Sequence, residues 1–286
     1  MIKLSDAVPV IAETKTVTIV GDIMQHEKQL AAIAALPSMY YDTFIEIAHH
    51  LLESEWSIGN LETTVSENFK LSGFPKFNSP VKLLLALEMH GFNVMSLANN
   101  HTFDMGKLGL DDTRDNCIKS GIVPIGHLGK RTLLLEGTDV CIHTATTLSN
   151  NMNGSHLLEW LEPALFTPVP GKYNIAYIHG GREYRKDPTL TQRGQTAALW
   201  SMGIDMVVYT HSHMVGQIEQ VGDNIAVWGM GNFLSDQEKL DRQQGRMLKL
   251  AFTGNKLRGI NDIRTETVWA GYSNIITETG SEYIKV

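Results

Sequence analysis

Short apolar, β-branched runs alternate with amphipathic stretches along most of the chain. Thr16–Val20 (TVTIV) reads as a buried strand. Between Tyr41 and Leu52, apolar residues fall at Phe44, Ile45, Ala48, Leu51 and Leu52, the spacing of one helix face. Pro80 opens a second helix (PVKLLLALEMHG), because its fixed φ suits a first turn, and Gly91 closes it. Asn93–Leu97 is the next strand, and Leu108–Ser120 is a helix ending at Gly121. Leu133–Leu135 and Val140–Ala145 read as a strand pair, with Gly137 and Asp139 near the turn. Further strands are expected at Asn174–Ile178, Asp205–Tyr209 and Ile225–Trp228, and a helix at Thr191–Met202 stopped by Gly203. From Arg246 onward, alternating runs such as MLKLAF and ETVWA predict antiparallel strands. The polar run Ser149–Ser155 reads as a surface loop. There is no internal repeat or low-complexity linker, so residues 1–286 read as a single α/β domain.

Four of the apolar runs end at unusual polar clusters. TVTIV leads into Gly21-Asp22, NVMSL into Ala98-Asn99-Asn100-His101, NIAYI into His179-Gly180-Gly181, and DMVVY into Thr210-His211-Ser212-His213. A fifth cluster, Gly59-Asn60-Leu61-Glu62, follows the short run Trp56–Ile58. Ligands of open α/β sheets bind beyond the carboxyl ends of the strands. One His at a strand end means little, but five such clusters predict a convergent set of oxygen and nitrogen donors. Asp22, Glu62, Asn100, His179, His211 and His213 are the expected metal ligands. Imidazole and carboxylate without sulfur suit one or two divalent ions, with Mn, Fe or Zn favoured over Mg. His211 and His213 share a face if the strand continues; if the chain turns, both still reach one site.

Composition narrows the reading. The 286 residues carry a formal net charge of −7, which gives no general attraction for nucleic acid or an anionic membrane. Two cysteines, Cys117 and Cys141, do not make a disulfide framework; buried, inert thiols in a reducing compartment are expected. Met1–Lys15 has no long apolar core, and no apolar run elsewhere suits a membrane span, so the expected location is cytoplasmic.

The segments GDIM (21–24), GNLETT (59–64), ANNHTFDMGKLGLDDT (98–113), HGGREY (179–184), HSHMVGQIE (211–219) and GNF (231–233) resemble the CapA-type poly-γ-glutamate biosynthesis proteins. That group lies within the calcineurin-like metallophosphoesterase superfamily. The resemblance implies a four-layer α/β/β/α sandwich with a dinuclear site at one edge. It implies Asp22 and His213 on a first metal and Asn100, His179 and His211 on a second. The bridging position falls on Glu62 or Asn60, and Glu62 is favoured for its charge. His101 is implied as the proton donor, oriented by Asp104. The superfamily's first motif is commonly Asp-x-His, and here its third position is Met24, a poor ligand for a hard cation. A first metal that binds weakly or not at all is therefore expected, with His26 read as a surface histidine.

The implied reaction is attack of a metal-activated water on a phosphoester, with His101 protonating the leaving oxygen. Arg182, Glu183 and Asn232 are candidate substrate contacts, and the expected partner is an anionic small molecule or polymer. Two alternatives stay open: an accessory or binding protein for an anionic polymer such as poly-γ-glutamate, and a γ-glutamyl or amide hydrolase using the same site.

Overall fold

The computed structural model describes residues 13–35, 39–151, 156–270 and 273–286. Residues 1–12 of the N-terminal stretch and residues 152–155 of the polar loop lie outside the described residues. The strands fall into two sheets. The first takes both ends of the chain: β1 (Thr14–Ile23), β2 (Trp56–Leu61), β3 (Val94–Ser96) and β4 (Val123–Ile125) run parallel. The second takes the middle: β5 (Thr132–Leu134), β6 (Val140–Thr146), β7 (Tyr173–His179), β8 (Met206–Thr210), β9 (Ile218–Val221) and β10 (Asn224–Val227). The chain then returns to the first sheet through β11 (Asn232–Leu234), β12 (Gln244–Thr253), β13 (Lys256–Ala270) and β14 (Ser273–Lys285). The order there is β14-β13-β12-β1-β2-β3-β4, with β11 also paired to β1, and in the second sheet β5-β6-β7-β8-β10-β9.

Strand alternation sends residues to two different cores. Val17, Ile19, Ile58 and Val94 of the first sheet meet Val140, Ile142, Ile175, Tyr177 and Val208 of the second, forming the middle of the molecule. The opposite face of the first sheet (Val20, Ile23, Leu61, Met95) is covered by helices α2 (Met39–Phe44), α3 (Ala48–Leu52), α4 (Val81–Met89) and α5 (Gly106–Lys119). A shorter helix, α1 (Glu27–Ala35), precedes them. The outer face of the second sheet (Ala176, Ile178, Val207, Tyr209) packs on α6 (Leu190–Ser201), whose start is held by a Thr189–Gln192 capping box. The result is the expected four-layer α/β/β/α sandwich. A final short helix, α7 (Leu240–Gln243), stands beside β11.

Two local expectations are corrected. The helix expected across Tyr41–Leu52 is two helices, separated by a turn in which Ile45 and Ile47 donate to carbonyls three residues back. Ile47 keeps a right-handed helical backbone, so the apolar spacing survives the break. β1 does not end at Val20 but runs on through Asp22, with a register shift against β2 between Ile19 and Asp22. Gly21 permits this: a Cβ there would stand 2.1 Å from the Gly231 carbonyl oxygen, where β11 joins. Both cysteines are buried, as expected, which pushes Cys117 up to about 12 and Cys141 to about 11.

Between the paired strands β12 and β13, Arg246 and Asp262 form a buried pair at 2.8 Å, each side chain at most 2% exposed. Arg264 also donates to Asp262, from the half-exposed side, at 2.9 Å. Asp262→Ala should therefore cost about 3–5 kcal/mol in denaturant unfolding, because it leaves the Arg246 guanidinium buried and unpaired. Arg246→Ala should cost less, since Arg264 still serves Asp262. Equal losses would refute this asymmetry.

Candidate metal centre

The site lies on the seam between the two sheets, at the carboxyl ends of β1, β2, β3, β7 and β8. Asp22 and Asn60 are still in their strands, His179 is the last residue of β7, and Glu62 directly follows β2. Beyond β8 the chain turns: His211 and His213 have φ of 85° and 55°. The second of the two sequence expectations for these histidines therefore holds. Left-handed conformations at two non-glycine residues are strained, and such strain concentrates where side chains must be aimed.

All of the expected ligands are buried and adjacent. Asp22 is held on both oxygens. Its Oδ1 accepts from Asn60 Nδ2 at 2.8 Å, and its Oδ2 accepts from the His211 backbone N–H at 3.1 Å. His213 Nδ1 lies 3.3 Å from the same Oδ2. His179 Nε2 faces Asn100 Oδ1 at 2.7 Å, while its Nδ1 lies 3.0 Å from Asn60 Nδ2 and from Thr210 Oγ1. Two donor triads emerge, Asp22–Glu62–His213 and Glu62–His179–His211, each with ligand atoms within 4.8 Å of one another. Glu62 belongs to both. A third triad, Glu183–His211–His213, opens toward solvent.

Glu62 is where these residues test for a cation. Among the described residues neither of its buried oxygens has a hydrogen-bond partner, and the same holds for His211 Nδ1. A buried carboxylate without donors is costly unless it is protonated or bound to a cation. Burial, followed by the charges of Asp22, Glu183 and Asp104, pushes Glu62 well above the ordinary carboxylate range. Burial also tends to raise Asp22, but the hydrogen bonds and charges of His179 and His213 outweigh it and hold Asp22 below that range. The nearest imidazole nitrogen to Glu62 is His179 Nε2 at 3.4 Å, and burial keeps that histidine low. His211 is pushed down to about 2 by burial and then by the neighbouring histidines. Neutral imidazoles, two carboxylates and orphaned lone pairs fit a divalent cation.

One consequence is measurable. Burial favours the protonated form of Glu62, so an ion that takes this carboxylate competes with a proton, and calorimetric titration with Mn should show net proton release. Affinity should rise with pH until Glu62 is ionised. Binding enthalpy independent of the buffer's ionisation enthalpy would show that Glu62 carries no proton.

Beside the triads stands a second constellation. His101 Nδ1 donates to Asp104 Oδ2 at 2.7 Å, leaving Nε2 as the other ring nitrogen. Asn99, next in sequence, braces the loop: its Nδ2 donates to Asn60 Oδ1 and Leu61 O, and its Oδ1 accepts the His101 backbone N–H. His101 and Asp104 line a cleft of about 580 Å³ with Phe74, Lys76, Phe103, Asn150 and Glu183.

The remaining expected residues divide. Glu183 reaches both the cleft and the third triad. Arg182 is exposed on the same loop and outside the walls of that cleft. Asn232 is 1% exposed; its Oδ1 accepts from His213 Nδ1 at 2.8 Å and its Nδ2 donates to Arg242 O, so it faces a histidine rather than the cleft. Asn60 is likewise engaged, by Asp22 and Asn99. Met24 is buried, and Glu62 supplies the third donor beside Asp22 and His213. His26 is not a surface residue: its side chain is 14% exposed, 3.2 Å from Asp236, with its ring against Phe77. Sequence reasoning missed Asn99, although it lies inside the ANNH motif, and Asn150, which was absorbed into a polar loop. Phe74 and Lys76 lie between recognised segments and carried no signal.

The family description "Bacterial capsule synthesis protein PGA_cap" matches residues 16–133 and 142–237. The capsule biosynthesis protein CapA of Bacillus anthracis is 26% identical over 253 residues, covering 79% of this chain and 61% of that protein. The PGA biosynthesis protein CapA of Bacillus subtilis (strain 168) is 26% identical over 206 residues, covering 64% of this chain and 54% of that protein. The chain thus spans less than two thirds of the length of either relative. Among solved structures, the sulfate thiohydrolase SoxB of Termus thermophilus in complex with glycerol aligns at a TM-score of 0.40 and 10% identity, covering 94% of this chain and 56% of that one.

Proposed function

Because the chain belongs to the bacterial capsule synthesis protein PGA_cap family, we propose that it is a metal-dependent hydrolase of phosphoesters that works at the seam between the two sheets. The observation that carries this reading is Glu62, a buried carboxylate with two orphaned oxygens shared between two donor triads. Asp22, Glu62 and His213 would hold one ion; Glu62, His179, His211 and Asn100 would hold the other. A divalent ion bound there supplies Lewis acidity toward a phosphoryl oxygen and lowers the pKa of water. Manganese, iron and zinc suit the donors better than magnesium.

The chain's own groups do the rest. Burial keeps His179 and His211 neutral, so their lone pairs are available. Asp104 fixes the His101 tautomer with Nδ1 protonated, which directs Nε2 to hold and deliver a proton to the leaving oxygen. Asn232 does the same orienting work for His213. Among the described residues no helix is long and apolar enough to cross a membrane.

A second reading, an accessory protein that binds the poly-γ-glutamate chain without turnover, draws on the names of the relatives. The cleft weighs against it, since Lys76 shares its walls with Glu183 and Asp104 rather than with further cations. The deciding experiment reconstitutes the protein with manganese, desalts it, and counts ions by elemental mass spectrometry beside a phosphoester turnover screen. One or two ions, lost when His179 and His211 are both replaced by Ala, with turnover of a phosphoester, supports the hydrolase. No ion in folded protein would sink it, and ions with polymer binding but no turnover would favour the accessory reading.

A further inference from the structure

Part of the wall of the cleft is the tip of a small hairpin. Ser72 and Asn78 pair through two backbone hydrogen bonds, of 3.1 and 2.8 Å, and Ser72 Oγ donates to the Lys76 carbonyl at 2.7 Å. Asn78 Nδ2 ties the base to Ser66 O at 2.9 Å, and Glu27 accepts the Gly73 N–H at 3.1 Å. The tip, Phe74-Pro75-Lys76, is thus presented on a braced frame. Phe74 is 71% exposed, more than any other Phe, Tyr or Trp among the described residues. It lines the same cleft as His101.

One oxygen joins this hairpin to the proposed proton donor. Asp104 Oδ2 accepts both His101 Nδ1 and the Phe77 backbone N–H, each at 2.7 Å. The Phe77 ring stands edge-on to His101, with centroids 4.6 Å apart. Whatever rests on Phe74 is therefore held in register with His101.

From this arrangement, and resting on the hydrolase reading, we infer that the hairpin 72–78 recognises the alcohol half of the substrate and that this half carries a planar ring. The leaving group must lie on the His101 side, because that is the group His101 protonates. The cleft there, about 580 Å³, has the size of a small-molecule site. An exposed phenyl face on a rigid tip offers stacking to a flat ring. Asn150, Asn100 and Asp104 supply polar edges around it, and Lys76 adds a cation at the mouth.

The test compares adenosine 5′-monophosphate with ribose 5-phosphate, which share the same scissile bond and differ only by the ring. On manganese-loaded protein, kcat/KM should favour the nucleotide by about tenfold or more, the scale of one base stacked on one aromatic side chain. Phe74→Ala should erase that ratio while leaving ribose 5-phosphate within about twofold, and Phe74→Trp should restore it. Equilibrium dialysis of adenosine against ribose reads the same preference without turnover. Equal kcat/KM for both esters, or equal losses in Phe74→Ala, would overturn the inference and leave the hydrolase standing. Adenosine retained over ribose through Phe74, with neither ester hydrolysed, would remove the hydrolase and keep the ring site. Neither binding preference nor hydrolysis would remove both.

Discussion

Alanine in place of His101 should lower kcat by about 10²–10⁴-fold, the usual contribution of a positioned acid, without changing the number of bound ions. His101 lies outside both Glu62 triads, and its Nδ1 is committed to Asp104. Removing the ring therefore takes away a proton donor rather than a ligand. The limb of the pH profile that reports the general acid should vanish with it. Asp104→Asn should fall between wild type and His101→Ala, since the asparagine still accepts from Nδ1 but no longer supports a charged ring. Elemental mass spectrometry beside steady-state kinetics decides the matter: if ions leave with His101, it is a ligand and the proton-donor role is wrong.

Glu62→Gln should have the opposite signature. Loss of the carboxylate common to both triads should weaken ion binding by more than about 100-fold, since even a partner that only orients a ligand is worth about 10–100-fold. The metal-free protein should gain stability. Burial raises the Glu62 pKa in the fold, so the folded state keeps a proton that the unfolded chain loses near the ordinary carboxylate value of about 4.5. Stability is then fully retained below that pH and falls as pH rises toward the folded-state value. Glutamine has no proton to lose, and its amide keeps the shape. Urea unfolding of both proteins without metal at pH 5 and pH 8 should show the gap widening with pH. A variant less stable than wild type at pH 8 would show that Glu62 is already satisfied without a cation.

Much of this arrangement was legible in the residues. The strands were legible as short apolar, β-branched runs, whereas the order of layers came from the resemblance of the motifs to a known family. β4 and β11 escaped notice because neither reads as a run of strand formers: β4 contains Pro124 and β11 opens on the polar Asn232. The break between α2 and α3 was equally invisible, since the turn keeps the helical spacing of apolar side chains. The clustering of the candidate donors was legible in their positions after strands, whereas the residues that orient them were not. Asn232 donates nothing visible to a motif search beyond Gly-Asn-Phe, and its contact with His213 depends on β11 crossing from one sheet to the other. The Asp104 oxygen shared by His101 and Phe77 depends on a loop 27 residues away in sequence.

The seam has a mechanical meaning as well. Asp22 and Glu62 belong to one sheet and His179, His211 and His213 to the other, so an ion there would be a clasp between two halves that otherwise meet through apolar side chains and a few bonds such as Tyr177 Oη to Val20 O, at 2.7 Å. By mass action, free ion at 100 times its dissociation constant adds about 2.7 kcal/mol of resistance to unfolding. The same ion that equips the site would slow the opening of the sandwich, and protease survival of this protein would track the supply of metal around it.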